Sequence, residues 1–309
     1  KPAPKVITVA GTNGKGSTVK TLETVLRASG YSTGAYTSPH ILRFNERIRL
    51  DGEDVADAAI VSCFARIEAQ REPDSLSYFE FTTLAALMLF ADAKVDFALL
   101  EVGLGGRLDA VNLIDPDCCV ITNIALDHED WLGKGRENIG AEKAGILRAA
   151  TPFVFCDRDP PASVLARAAS LGVTPLLIDT DFNAQKSRGE WCFEGQSCNG
   201  SSLRREALPL PHLFLDNVVG ALQALACLRA LPTAGILRNA LKRLHLGGRF
   251  EKRRDSGSGR TVILDAAHNV AAAELLAQSL RASYSAKSPE SLPTQGKPLK
   301  IRLVLAAMA

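Results

Sequence analysis

Apolar positions along the chain follow two alternating periods. Short β-branched or apolar runs at 6–10, 32–36, 97–102, 119–124 and 152–155 read as strands. Between them, 17–29, 55–70, 79–93 and 139–148 read as helices. Val19, Leu22, Val25 and Leu26 form the stripe of the first helix, and Gly30 stands where a helix C′ glycine belongs. The stretch 79–93 is apolar on most faces and is expected to be buried. Strand, loop, helix, strand is the order of a parallel α/β sheet.

The same alternation continues through 162–178 and then breaks into a polar, glycine-rich segment at 179–205. That segment predicts a peripheral β excursion with a short strand at Trp191-Cys192-Phe193, and no chemistry is assigned to it. Helices follow at 215–231 and 233–243, and Gly247-Gly248-Arg249-Phe250 ends the pattern. A strand at 261–264, an Ala-rich helix ending near Ala282, a polar loop at 283–298 and a strand at 299–306 restart it. The prediction is a first α/β domain over 1–246 and a smaller, partial α/β domain over 247–309, whose two predicted strands fall short of a usual sheet.

At 309 residues the chain suits about two domains with an ample core. Its 36 basic and 34 acidic residues leave a net charge of +2 without long single-sign blocks, so no footprint for nucleic acid or an anionic membrane is expected. Small anions need only local charge. Seven cysteines, an odd number with no C-x-x-C pair, argue against a disulfide framework and for a reducing cytosol. The chain opens Lys-Pro-Ala-Pro, with neither a signal-like segment nor an apolar run of membrane-spanning length, and a cytoplasmic protein is expected.

The densest chemistry lies between the first strand and the first helix, in Gly11-Thr12-Asn13-Gly14-Lys15-Gly16-Ser17. Glycines let successive backbone N–H groups turn toward one anion, and the helix adds the positive end of its dipole. Lys15 would then reach the terminal phosphates of a nucleotide. The spacing departs from the usual P-loop, because two residues separate Gly11 from Gly14 and Gly16 intervenes between Lys15 and Ser17. An empty strand-to-helix turn is the plainer alternative. Thr37 to Arg47, broken by Pro39 and rich in charge, reads as an exposed loop crossing the site. Glu101 ends one strand and Leu126-Asp127-His128 follows another, where groups line the ligand crevice of a parallel sheet.

Five separated blocks agree: the glycine loop, Thr37-Ser38-Pro39-His40, Glu101-Val102-Gly103-Leu104-Gly105-Gly106-Arg107-Leu108-Asp109-Ala110, Leu126-Asp127-His128 and Asp265-Ala266-Ala267-His268-Asn269. Together they resemble the folylpolyglutamate synthase/dihydrofolate synthase family of the Mur ligase superfamily, over nearly the whole chain. Relative to that family, an N-terminal segment and the later part of the C-terminal domain are expected to be missing. The resemblance implies a P-loop ATPase domain with a parallel sheet plus a smaller Rossmann-like domain that closes over ATP. It implies ATP-dependent amide formation: dihydropteroate or a folate is phosphorylated to an acyl phosphate, which L-glutamate then attacks.

By motif position, Gly11, Thr12, Asn13, Gly14, Lys15, Gly16 and Ser17 would hold ATP, with Asn217, Arg249, Asp265 and His268 from the far side of the cleft. His268 would lie one helical turn from Asp265 if the helix starts there. Ser38, Glu101 and His128 match the family's magnesium ligands, and Lys143 its carbamylated lysine. Ser77, Tyr78, Phe79, Glu80, Leu108, Asp109 and Ala110 match its dihydropteroate positions, although core packing explains Phe79 and Leu108 almost as well. Catalysis would fall to Lys15, Lys143, His128 and Arg249, the last only in a closed state. The implied partners are ATP with Mg²⁺, dihydropteroate or folate, and L-glutamate, in a monomer. The competing functions are a Mur-type ligase that joins amino acids to a cell-wall precursor and a nucleotide-binding module without catalysis.

Overall fold

The computed structural model describes residues 1–187 and 189–284. Its first strand, β1 (Lys5–Ala10), lies between two parallel neighbours, so both of its faces need apolar cover. Side chains alternate accordingly: Val6 and Ala10 enter one core, Ile7 and Val9 the other. The glycine loop then leads into α1 (Lys15–Ala28), which ends at Ser29 and at Gly30 with φ 88. β2 (Thr33–Tyr36), β3 (Ile48–Leu50) and β4 (Glu53–Asp54) follow, then α2 (Asp57–Glu68), α3 (Tyr78–Ala93) and β5 (Phe97–Glu101). After β6 (Cys118–Ile121) come α4 (Glu129–Leu132), α5 (Gly135–Lys143), β7 (Phe153–Phe155), α6 (Ala162–Ser170) and β8 (Pro175–Leu177).

Eight strands form one sheet in the order β4-β3-β2-β5-β1-β6-β7-β8, parallel except for β3 and β4 at one edge. The chain leaves β1 toward β2 and later crosses from β5 to β6 on the other side, which opens a crevice at the carboxyl end of β1. One face is covered by α2, α3, α5 and α6. The other is covered by α1, by an antiparallel sheet of β9 (Asn183–Ser187), β10 (Glu190–Gln196) and β11 (Ser202–Pro209), and by α7 (Leu215–Cys227) and α8 (Ala234–Arg243). Trp191 and Phe193 of β10 are buried in that second core, so the predicted β excursion is a wall of the fold.

Two local readings are corrected. The stretch 37–47 is not a plain exposed loop: it contains a 3-10 turn (Phe44–Arg47) and delivers β3 to the sheet edge. Asn45 and Arg47 are buried there, because Asn45 donates to the Val55 carbonyl (2.6 Å) and Arg47 Nε to His40 Nδ1 (2.8 Å). The helix expected over 139–148 spans Gly135–Lys143 and continues only as a 3-10 turn (Ala144–Ile146). There Gly145 lies flat on Arg107, where an added Cβ would stand 2.5 Å from the Arg107 Cα. No element was expected at α4, whose four residues are too few to show a period.

The described chain divides into two compact units, Lys1–Leu246 and a second beginning at Gly247. In the second, β12 (Glu251–Arg254) pairs antiparallel with β13 (Thr261–Leu264), and α9 (Val270–Tyr284) follows. The charged sequence of β12 concealed it from periodicity. The strand expected at 299–306 lies outside the described residues. The helix begins at Val270, so Asp265 and His268 occupy a preceding loop and are not one helical turn apart. Asp265 cannot start the helix, because its carboxylate accepts the N–H groups of Phe250 (2.8 Å) and Ala267 (2.9 Å). Asn269 caps α9 instead, accepting from the Ala272 N–H (3.0 Å). Among the described residues no helix is long and apolar enough to cross a membrane.

Candidate functional site

The glycine loop sits at the carboxyl end of β1 and is tied to the residues that follow β6. The Thr12 N–H donates to the Asn123 carbonyl (2.9 Å) and the Asn13 N–H to Asn123 Oδ1 (2.8 Å). Thr12 Oγ1 exchanges bonds with both backbone groups of Ala125 (3.2 and 3.0 Å), and Thr122 Oγ1 donates to the Asn13 carbonyl (2.6 Å). Gly11 must be glycine, since at φ +142 an added Cβ would stand 1.8 Å from Thr122 Oγ1. Thr122 and Asn123 were not singled out in the sequence. Their position directly after an apolar strand of a parallel sheet was the available signal.

Two lysines close over this loop. Lys15, the first residue of α1, donates to the carbonyls of Gly11 (3.0 Å) and Thr12 (3.2 Å). Lys143, the last residue of α5, reaches the same Gly11 carbonyl at 3.0 Å. It is only 5 % exposed, and burial brings its pKa down to about 7, helped by the charge of Lys15 and opposed by Asp127 and Asp109. Two cations converging on one neutral carbonyl make a strongly positive spot that an anion would relieve. Helix α1 adds to it, for it starts without a side-chain cap or an acidic residue in its first turn.

Acidic groups stand beside these lysines. Glu101, buried at the end of β5, accepts the Ser38 N–H (3.3 Å), and its carboxylate lies 3.5 Å from where a Cβ on Gly16 would be. The Glu101 carboxylate thus stands next to the first turn of α1, within ordinary contact distance of position 16. His128 begins α4 in a left-handed conformation (φ 52), with Nε2 3.8 Å from Asp127 Oδ1. Among the described residues no three His, Cys, Asp or Glu side chains gather into a metal cluster. Of the three expected ligands Glu101 alone is a carboxylate, the donor Mg²⁺ favours; a hydroxyl and an imidazole beside it are an unusual set, so water and phosphate oxygens would have to complete an octahedron there.

Asn217 is placed differently from expectation. It belongs to the first unit, in the first turn of α7, and packs directly on the loop: a Cβ on Gly14 would stand 2.3 Å from its Oδ1. It therefore does not reach in from across a cleft. Arg249, Asp265 and His268 belong to the second unit, where Arg249 Nη1 donates to the Gly248 carbonyl (3.1 Å) and His268 Nδ1 lies 2.8 Å from the Ala266 carbonyl.

The residues matched to dihydropteroate divide between roles. Glu80, Leu108, Asp109 and Ala110 line a cavity of about 420 Å³, with Arg107 and Leu84 among its other walls. Ser77 and Glu80 form the reciprocal cap of α3, Ser77 Oγ accepting the Glu80 N–H (3.3 Å) and Glu80 Oε2 the Ser77 N–H (2.7 Å). Phe79 packs against Tyr36 at 5.7 Å and leaves no room for a side chain on Gly103. Tyr78 is exposed, its ring 5.5 Å from the Arg47 guanidinium. Asp109 is pushed up by burial, although the N–H groups of Leu104 (2.9 Å) and Val111 (3.0 Å) oppose that shift. Arg107, paired with Glu142 at 2.9 Å, is a cavity residue that the sequence reading placed in a family block but gave no role of its own.

A parallel sheet with a glycine loop, an invading lysine and an uncapped helix at its central strand defines an α/β protein of the P-loop class. The Mur ligase middle domain family matches residues 9–199. The dihydrofolate synthase/folylpolyglutamate synthase of Escherichia coli (strain K12) is 42% identical over 301 residues, covering 97% of this chain and 67% of that protein. Its Haemophilus influenzae counterpart is 40% identical over 294 residues, covering 91% and 66%. A solved structure of Escherichia coli FolC in complex with DHPP and ADP superposes with a TM-score of 0.84 at 44% identity, over 91% of this chain and 66% of that one. A Yersinia pestis bifunctional folylpolyglutamate synthase/dihydrofolate synthase, complexed with AMPPNP and Mn ion, gives 0.83 at 45%, over the same shares. The chain belongs to the Mur ligase family, in its dihydrofolate synthase/folylpolyglutamate synthase branch, and spans about two thirds of the length of these relatives.

Proposed function

We propose that this chain carries the ATP-handling part of an ATP-dependent carboxylate–amine ligase that joins L-glutamate to dihydropteroate, to folates, or to both, through an acyl phosphate. The observation that carries this reading is the convergence of Lys15 and Lys143 on the Gly11 carbonyl, 3.0 Å from each, beside the buried Glu101. ADP in the Escherichia coli structure, and AMPPNP with Mn in that from Yersinia pestis, support ATP with a divalent metal as the ligands here. Ser38, Glu101 and His128 would hold that metal, which when bound neutralises charge on the transferred phosphoryl group. Lys15 neutralises the same charge from the loop, and Asn217 borders the nucleotide beside Gly14. The cavity bordered by Leu108 and Asp109 is assigned to the pterin, Asp109 and Glu80 accepting from its amino and amide groups.

Lys143 is read as a carbamate in the working enzyme. A pKa of about 7 keeps much of the amine neutral near pH 7, and its nitrogen lone pair attacks CO₂ to form the N–C bond. One proton leaves to solvent, and the side chain becomes an anion with two oxygen acceptors. From the second unit, Arg249, Asp265 and His268 are assigned to the nucleotide on the resemblance alone. The reading is tested by ADP release with dihydropteroate and glutamate each omitted in turn. Release only when dihydropteroate or a folate is present is expected, and Lys15→Ala should stay folded while losing it. No ADP release with any combination of substrates would leave a nucleotide-binding module without catalysis, and release driven only by a cell-wall precursor would move the chain to another Mur ligase.

A further inference from the structure

Two consecutive residues just after β7, Asp157 and Arg158, anchor both sides of the phosphate loop without reaching it. Asp157 Oδ2 accepts the Ile124 N–H (2.8 Å) and pairs with Arg136 Nη2 (3.1 Å), while Arg136 Nε donates to the Ile124 carbonyl (2.8 Å). One ion pair thus occupies both backbone groups of Ile124. Its neighbours on either side, Asn123 and Ala125, are the residues that hold Thr12 and Asn13. Arg136 stands in the first turn of α5, whose last residue is Lys143, so that helix supports Ile124 at one end and reaches the loop at the other.

Arg158 faces the other way. Its guanidinium pairs with Asp216 (3.2 Å to Oδ1) and with Asp179. Asp216 immediately precedes Asn217, whose amide fills the space above Gly14. Cys156 seals the same junction, its Sγ lying where a Cβ on Gly220 of α7 would fall, at 2.2 Å. Asp157 and Arg158 lie where the chain bends away from β7, and there one dipeptide of opposite charges grips α5 and the β6 loop on one side and α7 on the other.

We propose that Asp157 and Arg158 are positioning residues that fix the width of the phosphate loop between Asn123 and Asn217, and so set its affinity for nucleotide phosphates. The inference rests on the nucleotide reading above for its ligand, but its geometry is independent of it. Two measurements are therefore paired: calorimetric titration of ADP with Mg²⁺, and hydrogen exchange of the amides at 11–16 without ligand. Asp157→Asn and Arg158→Met are each expected to weaken ADP by about tenfold, the lower end of what supporting partners behind a binding group contribute. Both should raise exchange at 11–16 while leaving β1, β5 and β6 protected, and Arg158→Lys should restore part of both losses. Arg66→Met, which removes an exposed ion pair with Asp92 elsewhere, should change neither.

ADP affinity within twofold of the unaltered chain in both variants, with unchanged exchange, overturns the proposal. So does protection lost equally along the strands, the mark of a merely structural role. If the unaltered chain binds no ADP, the nucleotide reading fails; raised exchange confined to 11–16 would then still uphold the brace, and its absence would remove both.

Discussion

Two cations of this protein are buried to a similar depth in opposite company. Arg49, 9 % exposed at the junction of β3 and α1, meets Glu23 at 3.0 and 3.3 Å, Thr37 Oγ1 at 3.1 Å and the Glu46 carbonyl at 3.0 Å. Lys143, 5 % exposed at the phosphate loop, donates to a neutral carbonyl that Lys15 also engages. Burial alone would push Glu23 up, but the charges of Arg49 and Lys20 outweigh it and hold the carboxyl below its usual range. The first region is a closed ion pair, tying α1 to the segment that carries Ser38. In the second, a buried amine faces a second cation, and its proton is easily lost. A buried charge with a matched partner serves structure, whereas one left in like-charged company is chemically primed.

The largest expected effect breaks the second region. Lys143→Ala should lower substrate-dependent ADP formation by at least about 10³-fold, ~4 kcal/mol of transition-state stabilisation, in a folded protein. A short carboxylic acid in the buffer should return part of the activity by filling the vacated place. Undiminished turnover without it would dismiss the carbamate. Next comes the first region: Arg49→Met leaves Glu23 buried without its guanidinium and should cost about 3 kcal/mol in urea unfolding. Adding Glu23→Leu should recover most of that loss, and no recovery would mean that the two residues do not act as one unit.

A pH series then separates the two regions within one molecule. The folded pKa of Lys143, about 7, lies below that of the unfolded chain, so between the two values the unfolded state binds more protons and stability rises with pH. In CO₂-free buffer, unfolding free energy should gain on the order of 3 kcal/mol from this group between about pH 7 and pH 10. Lys143→Met should remove that gain and raise stability at pH 6. Glu23 gives the same slope in a lower pH window: its lowered pKa contributes stability above the unfolded carboxyl value, lost as pH falls through the folded one. A flat profile above pH 7 in the unaltered chain would contradict the penalty that burial places on the charged form of Lys143. The smallest effect concerns Arg249. Arg249→Ala should lower turnover about tenfold more than it weakens ADP binding, and equal losses would make it an ordinary ground-state contact.

Much of this was legible in the chain. The phosphate loop, Glu101 and Leu126-Asp127-His128 stand at ends of apolar runs, and strand ends of a parallel sheet share one edge, so linear position already implied proximity. The main strands and long helices could be read because burial on both faces or on one stripe imposes a period. β12 could not, since its residues are mostly charged and exposed. Nor could the start of α9, where Asp265 is drawn back by the Phe250 N–H, a partner fifteen residues earlier.

What the sequence by itself determined is the order of elements and the set of chemical groups at the crevice, because both follow from local periodicity and from residue type. Only the tertiary structure decided that Asn217 lies against Gly14, that Glu80 splits its carboxylate between a helix cap and a cavity wall, and that Lys143 is buried beside Lys15. It also decided that Asp157 and Arg158 hold opposite sides of one loop. These are relations between residues tens to more than a hundred positions apart. The physical reason is that desolvation and Coulomb energy depend on distance and on excluded water, and neither is written along the chain until the chain has folded.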